Sequence, residues 1–294
     1  MSAVISLSEH ARARRRDRKV SDGDLARADG RARLVFARRD GETRLADLGQ
    51  RSPCRILLPR ERFDEPSATL INTAGGLCGG DRLATEIVLG EGAAATVTSQ
   101  AAEKIYRALD RDGRVLTKLR LGPAARLHWA PQETILFDSA RLRRRTQVDL
   151  AADSRLLAAE TLVFGRAAMG EVLQDLHLND RWQVSIGGRL AWSDALRIDD
   201  ARALSAPAGL NGATAYAALV IRLPDEEAEA CRDRLRALWT GGAPQAGASR
   251  VAGLVLGRLL GEPMAVRQAV IAALCDLRPR VLRFAAALPR AWSC

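Results

Sequence analysis

The chain has 294 residues, 47% hydrophobic and 27% charged, with 45 basic against 35 acidic residues and a net charge of +10. A chain of this length buries about three quarters of the surface its unfolded form exposes, so one large domain or two modest ones fit. No window offers the roughly 18 uninterrupted apolar residues of a membrane span, and no apolar segment follows the basic run HARARRRDRK (10–19) to make a secretory signal, so the reading is a cytoplasmic chain that does not engage membranes.

In chain order, residues 1–25 read as a basic arm without packed structure. The body, 26–223, reads as short strands parted by turns. ATEIVLGEGAAATVTSQ (84–100) alternates around a glycine turn, and VLTKLRL (115–121) sets Val115, Thr117, Leu119 and Leu121 against Lys118 and Arg120. LHWAPQETILF (127–137), RTQVDL (145–150), WQVSI (182–186), GRLAW (188–192) and TAYAALVIRL (214–223) continue the period of two, which argues for an all-β architecture. QETILFDSA (132–140) and AETLVFGRA (159–167) share Glu-Thr-aliphatic-aliphatic-Phe, an echo that fits strands stacked in successive coils of a solenoid, with Glu133 and Glu160 in equivalent structural roles. Residues 224–294 read as a helical section packed on the body, the whole forming a single domain. PDEEAEACRDRLRALWTGG (224–242) begins with proline and acids, places apolar residues at 228, 231, 235 and 238, and ends on glycine. PQAGAS (244–249) reads as a flexible joint, SRVAGLVLGRLLG (249–261) as a second helix, and PMAVRQAVIAALCDLRP (263–279) as a third with a core-facing stripe Val266, Val270, Leu274 and Leu277.

The chemistry-bearing residues exclude more than they indicate. The five cysteines are scattered without a CxxC pair, which argues for reduced thiols and against a zinc knuckle. The three histidines, at 10, 128 and 177, are poor stock for a metalloenzyme, and no nucleophile motif occurs. INTAGGLCGGDRL (71–83) fits neither phosphate frame: Asp81 and Arg82 stand where a P-loop has Lys and Ser/Thr, and strand-like ATEIVL follows where a dinucleotide fold needs a helix. It reads as a glycine-shaped turn packed closely on something, with Asp81 as an aimed acceptor. Lysine occurs only at 19, 104 and 118, so the charge is almost all arginine, and aromatics at 4% are too few for a base-stacking platform.

Four blocks then stand together: NTAGGLCGGDRL (72–83), TSQAAEKIYRAL (98–109), APQETILFDSARL (130–142) and ETLVFGRAAMGE (160–171). In this order they resemble the urease accessory protein UreD family, called UreH in some organisms, over roughly 35–294, and LPRAWSC (288–294) is similar to the way such chains end. The resemblance implies a mainly β fold, two layered mixed sheets with a β-helix-like arrangement plus a helical C-terminal section. It implies no enzymatic activity, but a chaperone scaffold that joins UreF, in a two-fold assembly, and the GTPase UreG. That assembly delivers nickel to the urease apoprotein, whose active-site lysine is carbamylated, through an internal water-filled tunnel. No cofactor is tightly bound; nickel is in transit.

A conduit must hold nickel weakly, and oxygen ligands do so where imidazole and thiolate would keep it. The polar residues of the shared blocks are therefore the expected route: Asp81, Ser99, Glu133, Asp138, Glu160 and Glu171, with Arg107 and Arg166 as ion-pair partners. Two other readings stay open, a nucleic-acid-binding protein using the basic arm and a β-solenoid carbohydrate-active enzyme using Glu133 and Glu160. The leading reading excludes nucleic acid as a partner.

Overall fold

The computed structural model describes residues 26–60, 63–166, 169–242 and 244–293; the basic arm 1–25 lies outside them. Among these residues the strands form two layered sheets. The first, seven-stranded, holds β1 (Asp29–Arg39), β2 (Glu42–Arg51), β5 (Arg82–Leu89), β8 (Gly113–Leu121), β11 (Ala140–Leu150), β13 (Leu176–Ile186) and β14 (Arg189–Ile198). The second holds β3 (Cys54–Leu57), β4 (Ser67–Asn72), β6 (Ala94–Ser99), β9 (Arg126–Ala130), β12 (Arg155–Phe164), β15 (Ala215–Arg222), β17 (Leu254–Gly261) and β16 (Gln245–Val251). Short β7 (Glu103–Ile105) and β10 (Thr134–Leu136) attach to it beside β12.

The chain winds between the sheets. β4, β6, β9 and β12 follow one another in parallel in the second sheet, while β5, β8, β11 and β13 do so in the first. Each turn of the coil sets new residues beside the last, with Arg82 opposite Arg114 and Arg114 opposite Arg143. This is the β-helix-like stacking expected. The strands form because their side chains alternate: in β11, Leu142, Thr146, Val148 and Leu150 are buried and Arg143, Arg145 and Asp149 are exposed. β12 is buried on both faces, since the first sheet covers one side and the C-terminal helices cover the other.

The echo of Glu-Thr-aliphatic-aliphatic-Phe does belong to neighbouring parallel strands, but Thr134 pairs with Leu162 and not with Thr161. A one-residue slip turns the side chains to opposite faces. Glu133 reaches Arg267 on the helical side, whereas Glu160 faces Arg144 of the first sheet. The equivalent roles expected for the two glutamates do not hold, and they share no cleft of the kind a paired-carboxylate glycosidase needs.

Besides the short α1 (Arg202–Ser205), a π-helical turn at Arg278–Leu282 and a 3-10 turn at Arg290–Ser293, the described helices are α2 (Asp225–Trp239) and α3 (Pro263–Leu277), both over the second sheet. Val266, Val270, Ala273, Leu274 and Leu277 of α3 are buried in the core, the packing expected of that stripe. The helix expected at 249–261 is instead the hairpin of β16 and β17, and the joint expected at 244–249 lies largely in β16. Ala252 and Gly253 both take positive φ, which suits a tight hairpin turn. Leu254, Val255, Leu256 and Leu259 are buried because β17 sits between β15 and β16 under α2, and such an apolar run carries no readable period. Gly257 lets α2 come close: a Cβ there would lie 2.7 Å from Trp239.

Candidate functional site

A cavity of about 390 Å3 lies between the sheets. Its floor is made by inward residues of the first sheet, including Thr85, Thr117 and Arg144, and its roof by Ser99, Trp129 and Glu160 of the second. Asn72, Glu103 and Lys104 line it as well, with Gln132 between β9 and β10.

At one end sits a buried ion cluster. Arg144 donates from Nε to Asp180 Oδ1 at 2.9 Å and from Nη2 to Oδ2 at 2.7 Å, and its Nη2 lies 3.2 Å from Glu160 Oε2. Glu160 Oε1 accepts from the Thr146 hydroxyl at 3.1 Å and from the Trp129 ring N–H at 3.5 Å. Its Oε2 accepts no hydrogen bond. One arginine thus faces two carboxylates. Burial raises the Glu160 pKa above the ordinary range and Asp180 adds to it, while Arg144 opposes both.

Glu103 stands elsewhere along the same cavity. Asn72 Nδ2 donates to its Oε1 at 2.9 Å, and burial pushes its pKa up to about 7 in spite of that bond. Nearby Ser99 Oγ accepts from the Gln132 backbone N–H at 2.8 Å and so ties β6 to the segment before β10.

Of the six residues expected on a metal route, Ser99 and Glu160 line this cavity. Asp81 is buried, and its two oxygens accept the backbone N–H groups of Ala28 and Cys78, each at 2.8 Å. Glu133 pairs with Arg267, which also donates to Gln132 Oε1 at 2.8 Å. Glu171, in the loop after β12, accepts at 3.3 Å from the backbone N–H of Asp138, in the turn between β10 and β11. The backbone N–H groups of Gln174 and Asp175 donate to Asp138 Oδ1 at 2.6 and 3.1 Å; burial raises its pKa, but these bonds outweigh that and hold it low. Arg166 donates to Glu171 through two side-chain bonds at 2.7 and 3.1 Å and holds its pKa below the usual carboxylate range.

The close packing expected of the glycine-rich stretch is present: a Cβ at Gly76 would lie 2.5 Å from the Tyr106 ring, and one at Gly79 2.5 Å from the Arg111 carbonyl. The sequence reading missed Glu103 and Arg144. Arg144 carried a legible signal, since it falls on the inward parity of Leu142, Thr146 and Val148 in a strand whose other arginines point out. Glu103 carried none, because β7 has three residues and shows no period.

Fold and site together define a β-solenoid-like scaffold with a cavity between its sheets, mainly apolar in lining and carrying a few polar and charged groups. Among the described residues no group of three or more His, Cys, Asp or Glu could hold a metal ion, and no helix is long and apolar enough to cross a membrane. The family model described as "UreD urease accessory protein" matches residues 28–293. The urease accessory protein UreD of Granulibacter bethesdensis is 46% identical over 240 residues, covering 81% of this chain and 99% of that protein. UreD of Methylobacterium sp. strain 4-46 is 42% identical over 283 residues, 94% of this chain and 95% of its own length. UreD of Dinoroseobacter shibae is 43% identical over 269 residues, 91% and 93% of the two chains. The chain belongs to the UreD family of urease accessory proteins.

Proposed function

We propose that this chain is the scaffold of urease maturation that passes nickel to the urease apoprotein, acting in the cytoplasm with UreF and UreG in an assembly two-fold about UreF. It performs no catalysis of its own. Nickel crosses it as cargo, through the cavity between the sheets, and meets oxygen ligands from Glu103 and Glu160, with Ser99 holding the wall between them. The observation that carries this reading is that two carboxyl groups, Glu103 and Glu160, line one cavity between the sheets and that burial favours the neutral form of each. Each can give up a proton to a passing divalent ion and take it back when the ion leaves. Neither is one of a tight donor set that would retain the metal.

Asp81, Glu133, Asp138 and Glu171 belong to the route in this reading as supports of its walls. Asp81 holds the turn between β4 and β5, Glu133 ties β10 to α3, and Asp138 with Glu171 shapes the loop before β13. The experiment is genetic. Cells making urease and the other accessory proteins, but lacking this chain, should yield urease short of nickel. Full activation by nickel in those cells contradicts the proposal.

A further inference from the structure

The outer face of the first sheet is unusual in what it displays. β5, β8 and β11 lie parallel, with Arg82, Arg114 and Arg143 directly opposite one another, and in the adjacent row Arg145 of β11 stands opposite Arg181 of β13. Like charges set across a ladder destabilise a sheet, so such rows cost stability. Some are neutralised: Glu86 accepts from Arg33 at 3.1 Å and from Arg120 at 2.9 Å, and Asp112 lies 3.3 Å from Arg143. Among the described residues Arg31, Arg82, Arg114, Lys118 and Arg145 have no ion-pair partner. The helices α2 and α3 pack on the second sheet, and no described helix covers this face, although parallel strands are ordinarily covered on both sides. A shallow concavity of about 700 Å3 runs across it, lined by arginines of β1, β5, β8, β11 and β13.

We propose that this face docks a carboxylate-rich surface of a protein partner. Charge complementarity selects the occupant: the unpaired guanidinium groups form rows that bidentate carboxylates fit. A second copy of this chain, at net charge +10, would set like charges together. Nucleic acid fits less well. β5, β8, β11 and β13 turn no Phe, Tyr or Trp to this side on which a base could stack. The choice of probes below rests on the role proposed in urease maturation; the docking face itself does not.

The test uses the full chain and its triple variant Arg82→Gln, Arg114→Gln, Arg145→Gln, with the single variant Arg145→Gln as a second reagent should the triple variant fold poorly. Association rates are measured against the cognate urease apoprotein, UreF and UreG, one at a time and at low and high salt, with a mixed-sequence DNA duplex in parallel. The triple variant should melt at the wild-type temperature or about 1–3 °C above it, since like-charge contacts are relieved. Association with one protein partner should fall about tenfold or more at low salt, by an amount that shrinks as salt rises. Unchanged rates for every partner that binds the wild-type chain overturn the docking face and leave the maturation role standing. Binding of the duplex, lost in the variant, while protein association is unaffected, overturns it in favour of nucleic acid. If no cognate protein binds the wild-type chain, both proposals fall.

Discussion

Asp81 gives both carboxylate oxygens to backbone N–H groups, one from Ala28 before β1 and one from Cys78 in its own turn. Asp81→Ala should therefore lower stability by about 1–3 kcal/mol, because two part-buried donors lose their acceptor; urea denaturation of the two proteins measures it. Glu103 makes a different prediction, one of pH. Its unfolded value is near 4.5 and its folded value about 7, so the folded chain holds the extra proton between those values. Stability is then lost as pH rises from about 4.5 through 7, and is level below that window. Glu103→Gln removes this slope. Relative to wild type, the variant should gain about 1–2 kcal/mol between the two ends of the window, and equal pH profiles for the two proteins would exclude the assignment. His128 contributes with the opposite sign. Burial, with Arg278 beside it, pushes its pKa well below 6.5, so the unfolded chain binds the extra proton and stability is lost as pH falls below 6.5.

At the scale of elements, a buried arginine ties the end of α3 to the second sheet. Arg278, at the end of α3 and 0% exposed, donates to Glu65 Oε1 at 2.7 Å, to Thr96 Oγ1 at 3.1 Å and to the Ala285 carbonyl at 2.9 Å. Its Nη1 also lies 2.6 Å from His128 Nδ1. Arg278→Leu leaves Glu65 buried without its counter-charge and should cost about 3–5 kcal/mol, read as a lower denaturant midpoint with an unchanged slope. The elements themselves were legible to different degrees. β8 and β11 alternate because one face meets the core and the other points outward, and α2 and α3 announce themselves by proline and an apolar stripe. β17 was not legible, because a strand buried on both faces and a buried helix share one apolar pattern; only its pairing with β15 decides. The register of β10 on β12 was equally hidden. The shared Glu-Thr motif points to adjacency, while the one-residue slip that separates Glu133 from Glu160 depends on how the preceding turns close.

For the whole molecule, winding the chain between two sheets does two things at once. It leaves a cavity lined by Glu103 and Glu160 between the sheets, and it stacks arginines of successive coils into rows on the outside. The family was legible from four short blocks, three of which supply the glycine-rich turn, Glu103 and Glu160. The cavity was not, because it is made where residues far apart in the chain, such as Asn72 and Glu103 or Arg144 and Glu160, are brought together by coiling. The central claim is that nickel reaches urease through this cavity. Its most direct measurement is the nickel content of urease purified from cells carrying the complete accessory set, with this chain either wild type or Glu103→Gln/Glu160→Gln. With the variant chain folded and still bound to its partners, nickel per urease active site should fall by about tenfold. The wild-type nickel content in urease from the variant cells would contradict the account.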